Sequence, residues 1–264
     1  MGDWGAPRHP YWETVSLMFP RYPKKRPPLP AEYQRIYHDH YRENRDGRSF
    51  ATKYSTRLEN WMHLQVSEDV ARHGFGGATL EIGAGTLNHL DYEPRTNPYD
   101  IVEPYKELYE GSELINRIRD IYHDISEIPS DRRYERIISI ATLEHVLDLP
   151  RVVAMAGLLL QPQGQFRAGI PNEGGLLWGL GWKLTTGVEF RIRRGLDYGV
   201  MLRHEHVNTA DEIEAVLVYF FARVESRALG LGRSLSFYRS FVCSGVRVER
   251  CTGFLDVGQH LPEY

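Results

Sequence analysis

The sequence predicts an α/β fold with a mainly parallel sheet, preceded by a helical cap. Three observations predict it: strand-like and helix-like segments alternate after residue 78, a Gly-x-Gly turn follows the first strand, and only Gly230–Arg233 separates the last two strands. Regular alternation is typical of parallel strands joined by helical crossovers. A four-residue linker is too short for a crossover, so the last two strands are expected to form an antiparallel hairpin.

The first 75 residues are expected to form a proline-rich arm and a helical cap. Residues 1–30 hold seven of the fifteen prolines, which excludes regular helix and predicts an extended surface segment. The arm is locally basic at Arg21, Lys24, Lys25 and Arg26. Two interpretations stay open, a solvated arm or a flap that meets an anionic substrate. Apolar spacing then predicts one helix through Tyr33 and Tyr41 and a second through Leu58 and Val66.

Residues 76–264 are expected to form the domain that contains the sheet. The candidate strands are Ala78–Ile82, Tyr99–Val102, Ile118–His123, Arg136–Ile140, Gln165–Ile170, Ala222–Leu229 and Ser236–Cys243. Helical segments such as Leu149–Leu160 and Asp211–Phe221 lie between them. A glycine- and aromatic-rich insertion, residues 171–205, follows the fifth strand. Ligands of open α/β sheets bind at the carboxyl edge, so this insertion is expected to form a substrate wall.

Composition and charge narrow the functional classes. The chain has 264 residues, 42% of them hydrophobic and 25% charged, which is typical of a soluble globular protein. A net charge of -3 disfavours a nucleic-acid partner. Cys243 and Cys251 are too few for a disulfide scaffold. The polar start at Met1–Pro10 does not resemble a signal peptide, and the longest apolar run, Val152–Leu160, is too short to span a membrane. We therefore expect a cytoplasmic protein without a membrane span; its oligomeric state stays open.

A nucleotide-binding pattern begins at the end of the first strand. Gly83 and Gly85 permit a tight turn and a close approach of the backbone to a ligand. Asn88 stands where a dinucleotide-binding turn would have a third glycine, which disfavours a nicotinamide or flavin enzyme. Glu103 closes the second strand, where a carboxylate accepts hydrogen bonds from two ribose hydroxyls. Asp124 follows the third strand, where a carboxylate accepts from an adenine amino group.

At these positions the sequence resembles the class I S-adenosylmethionine-dependent methyltransferases, over about residues 76–245. The matching motifs are Leu80-Glu81-Ile82-Gly83-Ala84-Gly85, Asp100-Ile101-Val102-Glu103-Pro104, His123-Asp124-Ile125, Ile140-Ala141-Thr142-Leu143-Glu144-His145-Val146 and Gln161-Pro162-Gln163-Gly164. The resemblance implies a Rossmann-like seven-stranded sheet of order 3-2-1-4-5-7-6, with only strand 7 antiparallel. It also implies S-adenosyl-L-methionine as cofactor and S-adenosyl-L-homocysteine as product.

The resemblance implies a role for each motif residue. Glu81 and the turn formed by Gly83, Ala84, Gly85 and Thr86 meet the methionine end of the cofactor. Glu103, followed by Pro104, binds the ribose, and Asp124 and Ile125 bind the adenine. Ala141 and Thr142, followed by Glu144, line the sulfonium.

Three histidines are candidates for a general base, because a hydroxyl acceptor must lose its proton and histidine titrates near neutral pH. His145 follows the fourth strand, and His204 and His206 precede the helix that begins near Thr209. Thr209 and Glu212 have the spacing of a helix capping box. Some relatives bind a divalent metal through Glu-x-x-Glu-His. Here Ala141 replaces the first Glu, leaving Glu144, His145 and a distal His-x-His, so the presence of a metal stays open.

The acceptor is expected to be a small molecule, with a sugar or nucleotide-linked sugar favoured. Aromatic residues in the cap and the insertion suit a sugar or a ring, although core packing is the commoner reason for such residues. The whole chain also resembles a group of bacterial methyltransferases associated with surface polysaccharides. Arg191, Arg193 and Arg194 are candidates for a phosphate contact. The alternatives are a metal-assisted 2′-O-methyltransferase-like enzyme, a non-catalytic module that binds an adenosyl cofactor, and an NAD-dependent oxidoreductase.

Overall fold

The computed structural model describes residues 19–34, 36, 59–73, 77–95 and 97–258, and a seven-stranded sheet of order β3-β2-β1-β4-β5-β7-β6 forms its centre. The strands are β1 (Thr79–Ile82), β2 (Tyr99–Val102), β3 (Ile121–Tyr122), β4 (Tyr134–Ile140), β5 (Leu160–Pro171), β6 (Phe221–Gly230) and β7 (Ser236–Val246). Strands β1 to β5 pair in parallel, whereas β7 runs antiparallel to both β5 and β6. The predicted order and the antiparallel hairpin are confirmed.

Helices cover both faces of this sheet. They are α1 (Glu68–His73), α2 (Leu149–Leu159), α3 (Leu176–Trp182), α4 (Val188–Arg194), α5 (Tyr198–Glu205), α6 (Ala210–Phe220) and α7 (Val248–Gly258). Residues 31–34, 36 and 59–66 are also helical, whereas Tyr37, Tyr41 and Leu58, which were predicted to lie on the cap helices, fall outside the described residues. Thr209 caps α6 with the predicted capping box to Glu212.

The apolar core lies in two layers. On one face of the sheet, α2 and α6 bury Val153 and Leu217 against the strand residues Phe166 and Phe241. The other face is covered by the helix at 59–66, whose Met62 packs among Tyr99, Ile101 and Ile138. The central strands are buried on both faces. Polar side chains can therefore reach solvent or a ligand only at the ends of these strands. No helix among the described residues is long and apolar enough to cross a bilayer.

The insertion at 171–205 is more ordered than its composition suggests. It forms α3, a π-helical turn at Lys183–Gly187, α4 and α5. Its glycines cost about 1 kcal/mol each inside a helix relative to alanine. Burial of Phe190 against Tyr33 and Met201 offsets that cost. Tertiary packing thus overrides the low helix propensity of this segment.

Candidate functional site

A cleft of about 1140 Å³ opens at the carboxyl ends of β1, β2 and β4. It collects residues from four of the five predicted motifs, all except Gln161-Pro162-Gln163-Gly164. Those that line it are Glu81, Gly83, Ala84, Gly85, Thr86, Glu103, Pro104, Asp124, Ile125, Ala141, Thr142, His145 and His204. Glu144 and His206 lie outside its lining. The edge of the sheet therefore unites residues as far apart in sequence as Glu81 and His204.

The glycine turn after β1 is built from left-handed backbone. Gly83 has φ +75°, and its amide donates to the carbonyl of Val102 at 2.8 Å. A Cβ at Gly83 would lie 2.2 Å from Thr142 Cγ2, so this position has no room for a side chain. Gly85 has φ +51°, and a Cβ there would meet no atom within 4 Å. Thr142, after β4, therefore leaves no space for a side chain at Gly83, whereas the backbone at Gly85 is open to a ligand.

Glu103 lies at the end of β2 with its carboxylate fixed by two backbone amides. Oε2 accepts from the Gly85 amide at 2.9 Å, and Oε1 accepts from the Tyr105 amide at 3.0 Å. Burial raises the pKa of Glu103, although these two amides oppose the rise. Each oxygen keeps one lone pair for a further donor. The carboxylate is thus held in place to accept two adjacent hydroxyl groups.

Asp124 and Ile125 follow β3 and form the next wall of the cleft. Asp124 caps the short 3-10 turn Ile125–Glu127, with Oδ1 accepting from the Ser126 amide at 2.9 Å. Burial favours the neutral acid, but the amide and hydroxyl of Ser126 outweigh it and lower the pKa of Asp124. Ile125 is only 3% exposed. The pair combines an ionised acceptor with an apolar surface.

The loop after β4 contains Ala141, the one non-glycine residue with left-handed backbone among the described residues that line the cleft. Ala141 has φ +48°, a left-handed conformation that costs a non-glycine residue energy, and its amide donates to Gly169 of β5. Thr142 follows, and its hydroxyl lies 3.2 Å from the Gly83 carbonyl. This strained loop contacts the glycine turn through Thr142 and continues to His145.

His145 lies at the end of the same loop and pairs with Glu205 from the end of α5. Its Nδ1 is 3.1 Å from the Glu205 carbonyl oxygen and 3.4 Å from Glu205 Oε2. A carbonyl only accepts, so Nδ1 carries the proton and Nε2 of the neutral ring is an acceptor. Burial lowers the pKa of His145, but Glu205 and Glu144 outweigh it and raise the pKa above its ordinary value.

The two histidines of the His-x-His pair diverge. His206 packs edge-on against His145, with ring centroids 4.8 Å apart, and its Nδ1 lies 2.9 Å from Glu173 Oε2. The indole of Trp178 donates to the same Glu173 oxygen and stacks on His206. His204 turns to the N-terminal arm, where its Nδ1 is 2.7 Å from the carbonyl of Pro27. Of the predicted bases, therefore, only His145 and His206 are brought together.

Glu144 completes a compact group with these two histidines. One ligand atom from each of Glu144, His145 and His206 lies within 4.8 Å of the other two. Glu144 is 1% exposed, and its Oε2 has no hydrogen-bond partner among the described residues. A buried carboxylate oxygen without a donor is costly. This group offers oxygen and nitrogen ligands of the kind that a divalent cation accepts.

Glu81 lines the cleft and belongs to a buried layer of polar side chains. Its Oε2 accepts from the Tyr99 hydroxyl at 2.8 Å, and burial raises the pKa of Glu81. Nearby, His63 Nδ1 lies 2.9 Å from His89 Nδ1, and His89 Nε2 lies 2.9 Å from Glu93. Burial, and then His89, lower the pKa of His63 to about 4.

The sequence did not single out His63 or Arg26 as components of the cleft, although both line it. Arg26 belongs to the proline-rich arm. Its Nη1 donates to the carbonyls of His204 and Glu205 at 2.9 and 3.0 Å, and its Nη2 donates to the His145 carbonyl at 3.2 Å. The basic pattern of the arm was visible in the sequence, but the loops that it joins were not. Arg26 clamps together the two loops that form the His145–Glu205 pair.

Comparisons with known proteins identify the family and the fold. A family model described as "Methyltransferase domain" matches residues 38–213. Plantazolicin methyltransferase BpumL, solved with a pentazolic desmethylPZN analog and SAH, has 12% identity and a TM-score of 0.56, with 89% of this chain and 97% of that chain covered. An O-methyltransferase family protein from Burkholderia thailandensis has 16% identity and a TM-score of 0.51, with coverage of 89% and 70%.

A shorter match concerns the CurJ carbon methyltransferase. It has 20% identity and a TM-score of 0.49, and this chain spans 54% of its length. A search of curated proteins found no match to the sequence. At these identities BpumL and the Burkholderia thailandensis protein show a shared fold.

Proposed function

Because this chain belongs to the methyltransferase domain family and uses S-adenosylmethionine, we propose that it methylates a hydroxyl group of a small molecule, with His145 as the general base. The observation that supports this role is the His145–Glu205 pair. Hydrogen bonding to the Glu205 carbonyl fixes the proton on Nδ1, so Nε2 of the neutral ring is available to take a proton. His145 also lines the same cleft as the glycine turn and Glu103.

The residues of the cleft fit the cofactor. The bare backbone at Gly85 admits the methionine moiety, and the fixed carboxylate of Glu103 offers one lone pair per oxygen to the ribose. Asp124 and Ile125 supply the acceptor and the apolar contact for adenine. When bound, the cofactor supplies a methyl group activated by its sulfonium charge. We assign Glu81 and Thr86 to the amino-acid end, and Ala141, Thr142 and Glu144 to the neighbourhood of the methyl group.

The contribution of the protein is then to align the acceptor and to move one proton. Glu205 orients the His145 ring and stabilises its charged form after the acceptor proton has been taken. Arg26 holds the backbone on both sides of this pair. His206, held by Glu173 and Trp178, packs edge-on against His145 from outside the cleft lining.

A sugar or nucleotide-linked sugar is the acceptor that we favour. Trp178 stacks on His206, which packs edge-on against His145, so these aromatic rings lie next to the proposed base although they stand outside the cleft lining. Aromatic faces suit sugar rings. Arg191, Arg193 and Arg194 lie on the exposed side of α4 and are not part of the cleft lining, so Arg26 is the better candidate for a phosphate contact. The two cysteines are free and buried, which supports a cytoplasmic location.

The test combines cofactor binding with turnover. Calorimetry with S-adenosylhomocysteine establishes that each variant is loaded, and release of S-adenosylhomocysteine from S-adenosylmethionine across a panel of hydroxyl acceptors reports methyl transfer. His145→Ala should abolish turnover while cofactor affinity is retained, and Glu110→Ala, at an exposed position outside the cleft lining, should leave turnover unchanged. Equal turnover of wild type and His145→Ala would refute the base. Binding without turnover for any acceptor would favour a non-catalytic module.

A metal-assisted reaction is the second candidate, supported by the buried group of Glu144, His145 and His206. A divalent cation there would give the unpartnered Glu144 oxygen a ligand role. Calorimetry with Mg²⁺, Mn²⁺ or Zn²⁺ tests it directly, and Glu144→Gln should weaken binding by roughly tenfold or more. Glu110→Gln, on an exposed surface, is the control. The absence of binding by wild type would leave His145 to act without a metal.

A further inference from the structure

A row of exposed aliphatic side chains runs along the outside of α3 and α4. This aliphatic stripe consists of Leu176, Leu180, Leu184, Val188 and Ile192, which are 64%, 53%, 70%, 46% and 80% exposed. Single exposed apolar residues are normal on soluble proteins. A contiguous apolar strip, in contrast, marks a surface that binds a partner.

The stripe is straight because of the π-helical turn. Residues 176–194 form one continuous helix, since the residues that join its three parts have right-handed helical backbone. Positions four apart drift about 40° around an α-helix. The turn at Lys183–Gly187 is wider and rotates less per residue, so it reverses part of this drift. Five aliphatic side chains therefore face one side over roughly 24 Å.

The inner face of this helix is anchored, so the stripe cannot turn into the core without losing packing. Phe190 is buried with Tyr33 and Met201, and Trp182 packs against Tyr198. Trp178 donates to Glu173 beside His206. One face of the helix thus packs on the rest of the protein while the other presents aliphatic residues outward.

Positive charge surrounds the stripe. Residues 176–194 contain four basic residues and one acidic residue, a net charge of +3, whereas the whole chain carries -3. The basic residues, all exposed, are Lys183, Arg191, Arg193 and Arg194. An amphipathic helix with an aliphatic face and basic flanks has the pattern that lies in the headgroup region of anionic membranes. Two copies of the same face would bring like charges together, which disfavours self-association.

The β6–β7 turn extends the stripe. The Leu176 amide donates to the Ser234 carbonyl at 3.0 Å, which places this turn beside the start of the helix. Leu231 and Leu235 on the same turn are 84% and 41% exposed. The apolar surface therefore comes from two separate parts of the chain that are fixed to each other.

We propose that the aliphatic stripe docks this protein on the surface of an anionic phospholipid bilayer. The aliphatic side chains enter the boundary between headgroups and acyl chains, and the basic residues contact headgroup phosphates. This docking is peripheral and does not depend on the identity of the methyl acceptor.

Vesicle co-sedimentation of the full chain tests the proposal. The protein should sediment with vesicles of equal parts phosphatidylglycerol and phosphatidylcholine, and much less with phosphatidylcholine alone. Leu184→Gln combined with Ile192→Gln should weaken binding by roughly tenfold or more. The control combines Val218→Gln and Val248→Gln, which replace aliphatic residues of similar exposure (48% and 55%) on α6 and α7.

Three outcomes would overturn the proposal. They are no sedimentation of wild type with the anionic vesicles, equal binding by the stripe variant and the wild type, and a lipid-free dimer that the stripe variant converts to a monomer in light scattering. The last result would identify the stripe as an interface between two copies. Calorimetry with S-adenosylhomocysteine on the same samples establishes folding, so a failure of lipid docking is distinguishable from a failure of the proposed enzymatic function.

Discussion

Replacing Glu103 provides a direct test of the cofactor site. The carboxylate accepts from the Gly85 and Tyr105 amides through different oxygens, and the remaining lone pairs are proposed to accept from the ribose. Glu103→Ala removes the charged acceptor. A hydrogen bond to a charged group contributes about 1.5–3 kcal/mol, so we expect a loss of about 1–3 kcal/mol of cofactor binding, or roughly 5- to 150-fold in Kd.

Glu103→Gln sharpens the test because it keeps the size and removes only the charge. One end of the new amide is an NH2 group, and it must face either the Gly85 or the Tyr105 N–H. Two donors then oppose each other, and the turn loses one of its two fixed contacts. We therefore expect Glu103→Gln to bind nearly as weakly as Glu103→Ala rather than to restore the affinity.

Isothermal calorimetry with S-adenosylhomocysteine measures both variants, and circular dichroism checks that they fold. Glu110→Ala is the matched control, because its carboxylate is exposed, lies in the loop after β2 and contacts Lys106. Affinities of wild type and Glu103→Ala within twofold, with both proteins folded, would refute the ribose assignment. Wild-type affinity in Glu103→Gln alone would show that the two amides do not fix the carboxylate.

Three further predictions concern the turn, the base and the arm. Gly83→Ala should unfold more easily than Gly85→Ala by about 1–3 kcal/mol in urea titration, because a Cβ at 83 meets Thr142 while one at 85 meets nothing. Similar losses would contradict the close packing. The rate of methyl transfer should rise with pH as His145 loses its proton, with a midpoint above 6.5. Glu205→Gln should move that midpoint to lower pH, because it removes a partner that raises the pKa of His145. An unmoved pH–rate profile would exclude the His145–Glu205 pair. Arg26→Lys should lower turnover at unchanged cofactor affinity, since an ammonium cannot bridge both loops. Arg21→Lys is the control and should not lower turnover, because the Arg21 side chain is 81% exposed. Equal turnover of the two variants would show that Arg26 has no role in the site.

The convergence of the motif residues on one cleft was predictable from sequence because they lie where strands end. Gly83 and Glu103 each follow a buried strand, Asp124 follows the short strand β3, and parallel strands bring their carboxyl ends to one edge. The hairpin of β6 and β7 was predictable for a similar local reason, the length of its linker. Short-range rules of this kind need no knowledge of distant contacts.

The partners of the histidines were not predictable in this way. Glu205 is 60 residues from His145, and Glu173 is 33 residues from His206. Equivalent His and Glu residues occur throughout the chain, and nothing local distinguishes the pairs that meet. The same applies to His63 and His89, which are joined only when the helix at 59–66 covers the sheet.

The sequence by itself thus determined the fold class, the strand order through its motifs, and the adenosyl cofactor, because these depend on spacing along single strands and turns. Tertiary structure decided which histidine has a carboxylate partner and that Arg26 clamps the site. It also decided that the insertion at 171–205 is helical with an exposed aliphatic stripe. These features depend on packing between segments far apart in the chain, where burial and long-range hydrogen bonds outweigh local propensity.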